Sequence, residues 1–189
     1  VRVAADLLIE AEHGTDSSVV FVTTSIELAA QVDAELVEQL AALPEQRATA
    51  ARASLGPNGG VVFVSSLSEA AEVSNQYAPE HLQVAVDENA VDALVDQLVN
   101  AGEILIGQHT PFSAANFLIG CPASLPTSGF AHVSSGITAE AFLKRTAIAR
   151  SNEAALRRMA PSIVTLAEHE GFPAHANAIT NRFTTGDHS

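Results

Sequence analysis

Hydrophobic and polar positions along this chain fall into two alternating rhythms. Val19-Val20-Phe21-Val22-Thr23-Thr24 and Val61-Val62-Phe63-Val64-Ser65-Ser66 are near copies of each other, rich in β-branched residues with one phenylalanine each. Runs of this kind predict strands covered on both faces, as in a parallel sheet. Behind each strand a hydroxyl and a carboxylate stand three apart, Thr24 with Glu27 and Ser66 with Glu69, the pattern of a helix capping box. Helices are therefore expected over about 26–43 and 67–77. Two more strands are expected at 82–86 and 103–107. Between them, residues 89–101 have amphipathic helical spacing, with Val91, Leu94, Val95, Leu98 and Val99 on one face. Such tandem βα units predict an α/β fold: a parallel, incomplete Rossmann-like sheet with flanking helices over residues 1–127. The turn-rich Pro126-Thr127-Ser128-Gly129 marks a boundary. Residues 128–189 read as a mostly helical C-terminal tail, with one strand near Leu143–Arg150. That tail is short for an independent domain and is expected to pack on a neighbouring domain or subunit.

Composition narrows the field. The chain has 189 residues, 47% of them hydrophobic, which is enough for a real core. A net charge of −13 argues against a nucleic-acid surface, which needs cations to displace counterions. No apolar stretch approaches a membrane span. The single Cys121 excludes an internal disulfide framework and suits a reducing, cytoplasmic setting. Val1 runs straight into a helical pattern with no initiator Met, so the chain reads as a fragment of a longer protein. Gly56-Pro57-Asn58-Gly59-Gly60 precedes a strand, whereas a dinucleotide fingerprint places its glycines between strand and helix. It is expected to be a surface turn.

The chemistry-bearing candidate of most interest is Tyr77-Ala78-Pro79-Glu80-His81-Leu82, at the junction of an expected helix and strand. A carboxylate beside an imidazole suits proton transfer near neutral pH. Neighbours in an extended strand point to opposite faces, so both can serve one substrate only if the backbone turns, for which Pro79 is the natural place. Glu10 and His13 share a helix face, with Gly14 where a C-cap would stand, a reasonable half-site for zinc. The plain alternative is a solvated helix end. Asn116 lies in an uncharged loop after a strand, where α/β folds gather ligands, or simply holds a turn. His175 follows Pro173 and opens a helical run. His109, His132, His169 and His188 have no supporting pattern.

Taken in order, Glu-Ala-Glu-His-Gly at 10–14, Ser-Asn-Gln-Tyr-Ala-Pro-Glu-His-Leu at 74–82, the Leu125-Pro126-Thr127 turn and Ala-His-Ala-Asn-Ala at 174–178 resemble the C-terminal half of histidinol dehydrogenase. The resemblance runs from Ala5 to about Arg182. It implies an enzyme that oxidises an alcohol to a carboxylate through an aldehyde, reducing two NAD. Glu80 would activate the water that attacks the aldehyde, and His81 would act as general base. Zinc would hold the substrate, with His13 and His175 as ligands. His175 and the substrate-binding Glu170 would come from the partner of a homodimer with intertwined tails. The NAD-binding portion would lie in the N-terminal half absent from this chain.

The chain departs from that family at four positions. Glu10 stands where the family has a Gln ligand, and Asn116 where it has an Asp. Both still offer oxygen to a metal. Phe112 and Ala123 replace a Glu and a His that read the substrate's imidazole, and losing both should abolish a preference for that ring. The expectation is a zinc- and NAD-dependent dehydrogenase for another small polar alcohol, inactive as the isolated fragment. The alternatives are authentic histidinol dehydrogenase, or a non-catalytic metal-binding or dimerisation module.

Overall fold

The computed structural model describes residues 1–184, and its contacts divide the chain into two units. The first is Val1–Phe142 and the second begins at Leu143, so residues 128–142 group with the α/β part. In chain order the first unit contains α1 (Arg2–Ala11), β1 (Val20–Thr23), α2 (Ile26–Ala42), α3 (Glu45–Leu55), β2 (Gly60–Phe63) and α4 (Leu67–Tyr77). It continues with β3 (His81–Val84), α5 (Glu88–Val95), β4 (Glu103–Ile106) and the short α6 (Phe112–Ala114), which runs into a π-helical turn at Ala115–Ile119. No helix among the described residues is long and apolar enough to cross a membrane.

The strands are parallel, as expected for βα units, and the class is mixed α/β. They pair two by two: β1 with β2 in one sheet, β3 with β4 in another, where the sequence had predicted one sheet. Each strand is only four residues long. On β2, Val61 and Phe63 are about half exposed on alternate positions, so this strand is not covered on both faces among the described residues.

In β3 the alternation His-Leu-Gln-Val separates two functions. Val84 joins Ala71, Leu94 and Leu98 in a core completed by Leu67, Leu82, Val86 and Ile104. His81 and Gln83 face the other way. Leu105 of β4 packs with Phe112 and Ala115 in a second cluster, edged by Ile9 and Cys121. A third cluster joins Leu8 and Ala11 of α1 to Ala51 of α3, with Val19, Leu36, Leu40, Leu43 and Leu55 around it. Thus α1 is gripped through Leu8 and Ala11 by the α2–α3 layer while Ile9 reaches the β4–α6 cluster.

Several local expectations shift, each for a visible reason. Ser25, not Thr24, caps α2, accepting from the Leu28 amide at 3.1 Å. Ser66 caps α4 as expected, but Glu69 reaches back to the Ser65 amide and hydroxyl, both at 2.6 Å, which holds its carboxyl below the usual range. Helix α3 was not foreseen, because its buried residues are Ala48, Ala50, Ala51 and Ser54, and its one large apolar side chain, Leu55, stands at its last position. Alanine's high helix propensity forms it all the same.

Helix α5 ends at Val95 instead of continuing to 101. The Asn75 side chain accepts from the amides of Val99 (2.8 Å) and Asn100 (3.2 Å) and donates to the Gln97 carbonyl (2.7 Å), drawing this stretch out of the helix. Gly14 does not cap α1; the cap residue is Glu12 in right-handed geometry, and His13 lies just past the helix. The expected strand near 143–150 is not formed. Those residues are exposed and have no strand partner among the described residues.

The 56–60 turn is packed tightly. Asn58 donates to the carbonyls of Thr15 (2.8 Å) and Ser17 (3.1 Å), and a Cβ on Gly59 would stand 2.0 Å from the Val19 carbonyl oxygen. There is no room there to cradle a phosphate.

In the second unit α7 (Glu153–His169) and α8 (Pro173–Thr184) pack on each other. Asn152 caps α7 by accepting from the Ala155 amide at 2.8 Å. Gly171, at φ 76°, closes it: its amide bonds the Glu168 carbonyl (3.0 Å) and Phe172 bonds Ala167 (2.7 Å), a Schellman motif.

Gly102, at the mouth of β4, is the glycine on which the site bears most directly. A Cβ there would meet the Glu80 carbonyl oxygen at 2.5 Å and Pro126 Cδ at 3.1 Å. Gly102→Ala should therefore destabilise the chain by about 1–3 kcal/mol, the range for overpacking against backbone, measured by urea unfolding. An unchanged midpoint would show that the strand opening yields more easily than its geometry indicates.

Candidate active site

The site is assembled from separate segments of the first unit, and the turn at 78–80 brings it together. Helix α4 ends at Tyr77 and is capped by Ala78, which adopts left-handed geometry (φ 52°, ψ 63°) although it carries a Cβ. Pro79 follows and Glu80 sits in a bend before β3 begins. The reversal falls one residue before the proline that was expected to make it. Backbone bonds then fix the bend to the start of β4: the Gly102 amide donates to the Pro79 carbonyl at 2.9 Å and Glu103 donates to Glu80 at 3.0 Å.

With the chain turned, Glu80 and His81 do converge. Glu80 Oε1 lies 3.7 Å from His81 Nε2, and Glu10 Oε2 lies 3.9 Å from the same nitrogen. The other ring nitrogen, Nδ1, is 2.6 Å from Glu103 Oε1. His81 and Glu103 are directly paired across the parallel β3–β4 ladder, so their side chains share a face. Both are largely buried. Phe112 packs its ring 5.4 Å from the His81 ring at a tilted 58°.

Burial pushes the Glu80 carboxyl above its ordinary value; the neighbouring Glu10 and Glu103 carboxylates add to that, while His81 opposes it. Burial likewise raises the Cys121 thiol, and the adjacent Glu103 carboxylate pushes in the same direction. Cys121 is thus held as a thiol, a poor nucleophile.

Glu10 also anchors the first candidate ligand group. His13 Nδ1 is 3.5 Å from Glu10 Oε2 and 3.1 Å from the Ile9 carbonyl. Asn116 donates its amide to Glu10 Oε1 at 3.1 Å. Its segment forms a π-helical turn instead of the loop expected, a distortion frequent at functional sites. Among the described residues, no group of three or more His, Cys, Asp and Glu side chains is arranged to hold a metal. Glu10 and His13 supply an oxygen and a nitrogen within reach of one cation, with Asn116 beside them. The donor types suit zinc, and the set needs at least one ligand more.

The remaining candidates lie elsewhere. Ala123 is exposed in the loop after Cys121. Glu170 and His175 belong to the second unit, where both line a cleft with Ile163, Leu166, Ala167 and Phe172. There the Phe172 and His175 rings stand 5.3 Å apart.

Sequence reading missed Glu103. A charged residue opening an otherwise apolar strand, Glu-Ile-Leu-Ile, is the signal that was available. A carboxylate buried without a cation or proton donor is costly, so such a residue needs a partner.

Comparison with known proteins shows the family. The sequence profile of histidinol dehydrogenase matches residues 1–183. The chain belongs to the histidinol dehydrogenase family. A histidinol dehydrogenase of Synechocystis is 45% identical over 179 residues, covering 95% of this chain and 41% of the relative. A histidinol dehydrogenase homolog of Colwellia psychrerythraea is 40% identical over 94% of this chain and 40% of its own length. The crystal structure of histidinol dehydrogenase from Elizabethkingia anophelis superposes with a TM-score of 0.88 at 33% identity, over 96% of this chain and 41% of that one. The chain therefore spans about two fifths of the length of these relatives.

The raised Glu80 carboxyl has a consequence for stability. Because the fold favours its protonated form, the stability Glu80 contributes is full on the acid side of the ordinary carboxylate value and is lost as pH rises through the raised one. Glu80→Gln should accordingly raise the thermal midpoint at pH 8 by no more than about 2–4 °C, solvent screening keeping the effect small. The gain should vanish in acid. Calorimetry across pH checks it, and a variant less stable than the parent at pH 8 contradicts the electrostatic picture.

Proposed function

We propose that this chain is the C-terminal part of an NAD- and zinc-dependent dehydrogenase that oxidises a small polar alcohol to the carboxylate by way of the aldehyde. The observation that carries the reading is the convergence of Glu80 and His81 beside Glu10 and His13. His81, with Nδ1 engaged by Glu103, keeps Nε2 to accept the proton that leaves the alcohol. Glu80, its carboxyl raised and partly exposed, then takes a proton from the water that adds to the aldehyde. Glu10, His13 and Asn116 would hold zinc, completed by His175 of a second copy in a homodimer with intertwined tails. The chemistry such a metal would supply there is Lewis-acid polarisation of the alcohol oxygen. Glu170 of that second copy would grip the substrate's polar end. The glycine-rich turn at 56–60 is filled by its own backbone and offers the dinucleotide no cradle, so most of the NAD site would lie in an N-terminal portion of the longer protein.

Two substrate readings follow from different observations. Phe112, buried against His81, makes the wall beside the proton-transfer pair apolar, and with Ala123 it favours an alcohol lacking an imidazole. The names of the relatives favour histidinol itself.

The test is steady-state reduction of NAD by the full open reading frame that contains this chain, with histidinol set against small polar alcohols. Oxidation of one of these alcohols is expected, with kcat falling roughly 10²–10⁴-fold in Glu80→Gln and in His81→Asn. Chelation should abolish turnover and added zinc restore it. Turnover fastest with histidinol supports the second reading, and none with any alcohol overturns both. The isolated 189-residue chain should be inactive in the same assay.

A further inference from the structure

The buried Glu103–His81 contact does more than neutralise a strand. We propose that Glu103 is a positioning residue that fixes His81 in the Nδ1–H tautomer and so reserves Nε2 as the proton acceptor. This deepens the reading of His81 given above and rests on it.

A neutral imidazole has one N–H and one lone pair, and the hydrogen bond at one nitrogen decides which nitrogen keeps the pair. Free imidazole side chains favour the proton on Nε2, which would leave no acceptor on the side facing Glu80 and Glu10. At His81 the acceptor on Nδ1 is a carboxylate oxygen at 2.6 Å, a charge-assisted distance. Glu103 is almost wholly buried and His81 nearly so, so water does not compete for that bond.

The geometry is over-determined. The two residues are register partners in the parallel ladder, the Glu103 amide is tied to the Glu80 carbonyl at 3.0 Å, and Phe112 covers the imidazole ring. Ring rotation that exchanged the nitrogens would break the contact with Glu103. The orientation that remains points Nε2 towards Glu80 and Glu10, at 3.7 and 3.9 Å, where a substrate hydroxyl would have to enter. Cys121 bears on the same carboxylate and is kept as a thiol.

The tautomer can be read by NMR on the 15N-labelled chain, from the two-bond ring correlations of His81 once the ring is neutral. The parent should show the Nδ1–H pattern. Glu103→Met, which keeps the volume and removes the acceptor, should move the ring towards Nε2–H. A parent ring in the Nε2–H form overturns the inference, even if no variant folds. So does a folded Glu103→Met chain with the parent pattern. In the full open reading frame, the same substitution should lower kcat about 10²-fold or more at nearly unchanged KM, as expected for loss of a correctly poised base. A kcat within about threefold of the parent would reduce Glu103 to a structural role. If the parent turns over no alcohol, the proposed function falls, and the ring pattern alone decides the tautomer.

Discussion

Everything at this site depends on the register of one short parallel ladder. With His81 opposite Glu103, the polar face of β3 meets the carboxylate that opens β4, while Leu82, Val84 and Ile104 turn to the core behind them. A slip of one residue would exchange the faces, burying the imidazole among leucines and exposing the core. The hydrophobic cluster of Ala71, Val84, Leu94 and Leu98 thus specifies the chemistry indirectly, because it forbids every other register. Backbone bonds from Gly102 and Glu103 to Pro79 and Glu80 extend the same pairing into the bend that carries the Glu80 carboxyl.

The electrostatics follow from that placement. Glu10, Glu80 and Glu103 surround a single imidazole, an arrangement that would be self-defeating if all were equally solvated. Their environments separate them instead. Glu103 is sunk beneath the ladder and bonded to Nδ1, Glu80 is partly exposed with its carboxyl raised, and Glu10 is shared with His13 and Asn116. Chemically similar groups acquire distinct tasks through burial and partners.

Much of the scaffold was legible because βα units announce themselves through apolar runs and caps. The span of α4 was read from the sequence residue for residue, and the four strands lay within three residues of their expected bounds. What escaped had weaker signals. Helix α3 packs through alanines, α5 was cut short by an asparagine twenty residues upstream, and the capping serine of α2 hid behind an equally plausible threonine. At the site, Glu80, His81, Glu10, His13, Asn116 and Phe112 were legible one by one, and the structure brings them within one another's reach. Glu103 was not, since its role exists only through a cross-strand neighbour 22 residues away. No pattern of local spacing encodes such a contact. Glu170 and His175 were noticed in sequence and lie together on the α7–α8 cleft.

Asn75 carries a consequence of a different kind. By holding residues 97–100 with its side chain, it pins the end of the β3–β4 connection to α4 independently of what lies between. The connection is thus held at two separate points, by Leu94 of α5 in the core with Ala71, Val84 and Leu98, and by Asn75 beyond the end of that helix. Adding or deleting one residue within 77–84 or 102–106 would carry Glu80, His81 or Glu103 away from the bonds that join them. With an anchor at each end, the connection has as little freedom of length as the strands it joins.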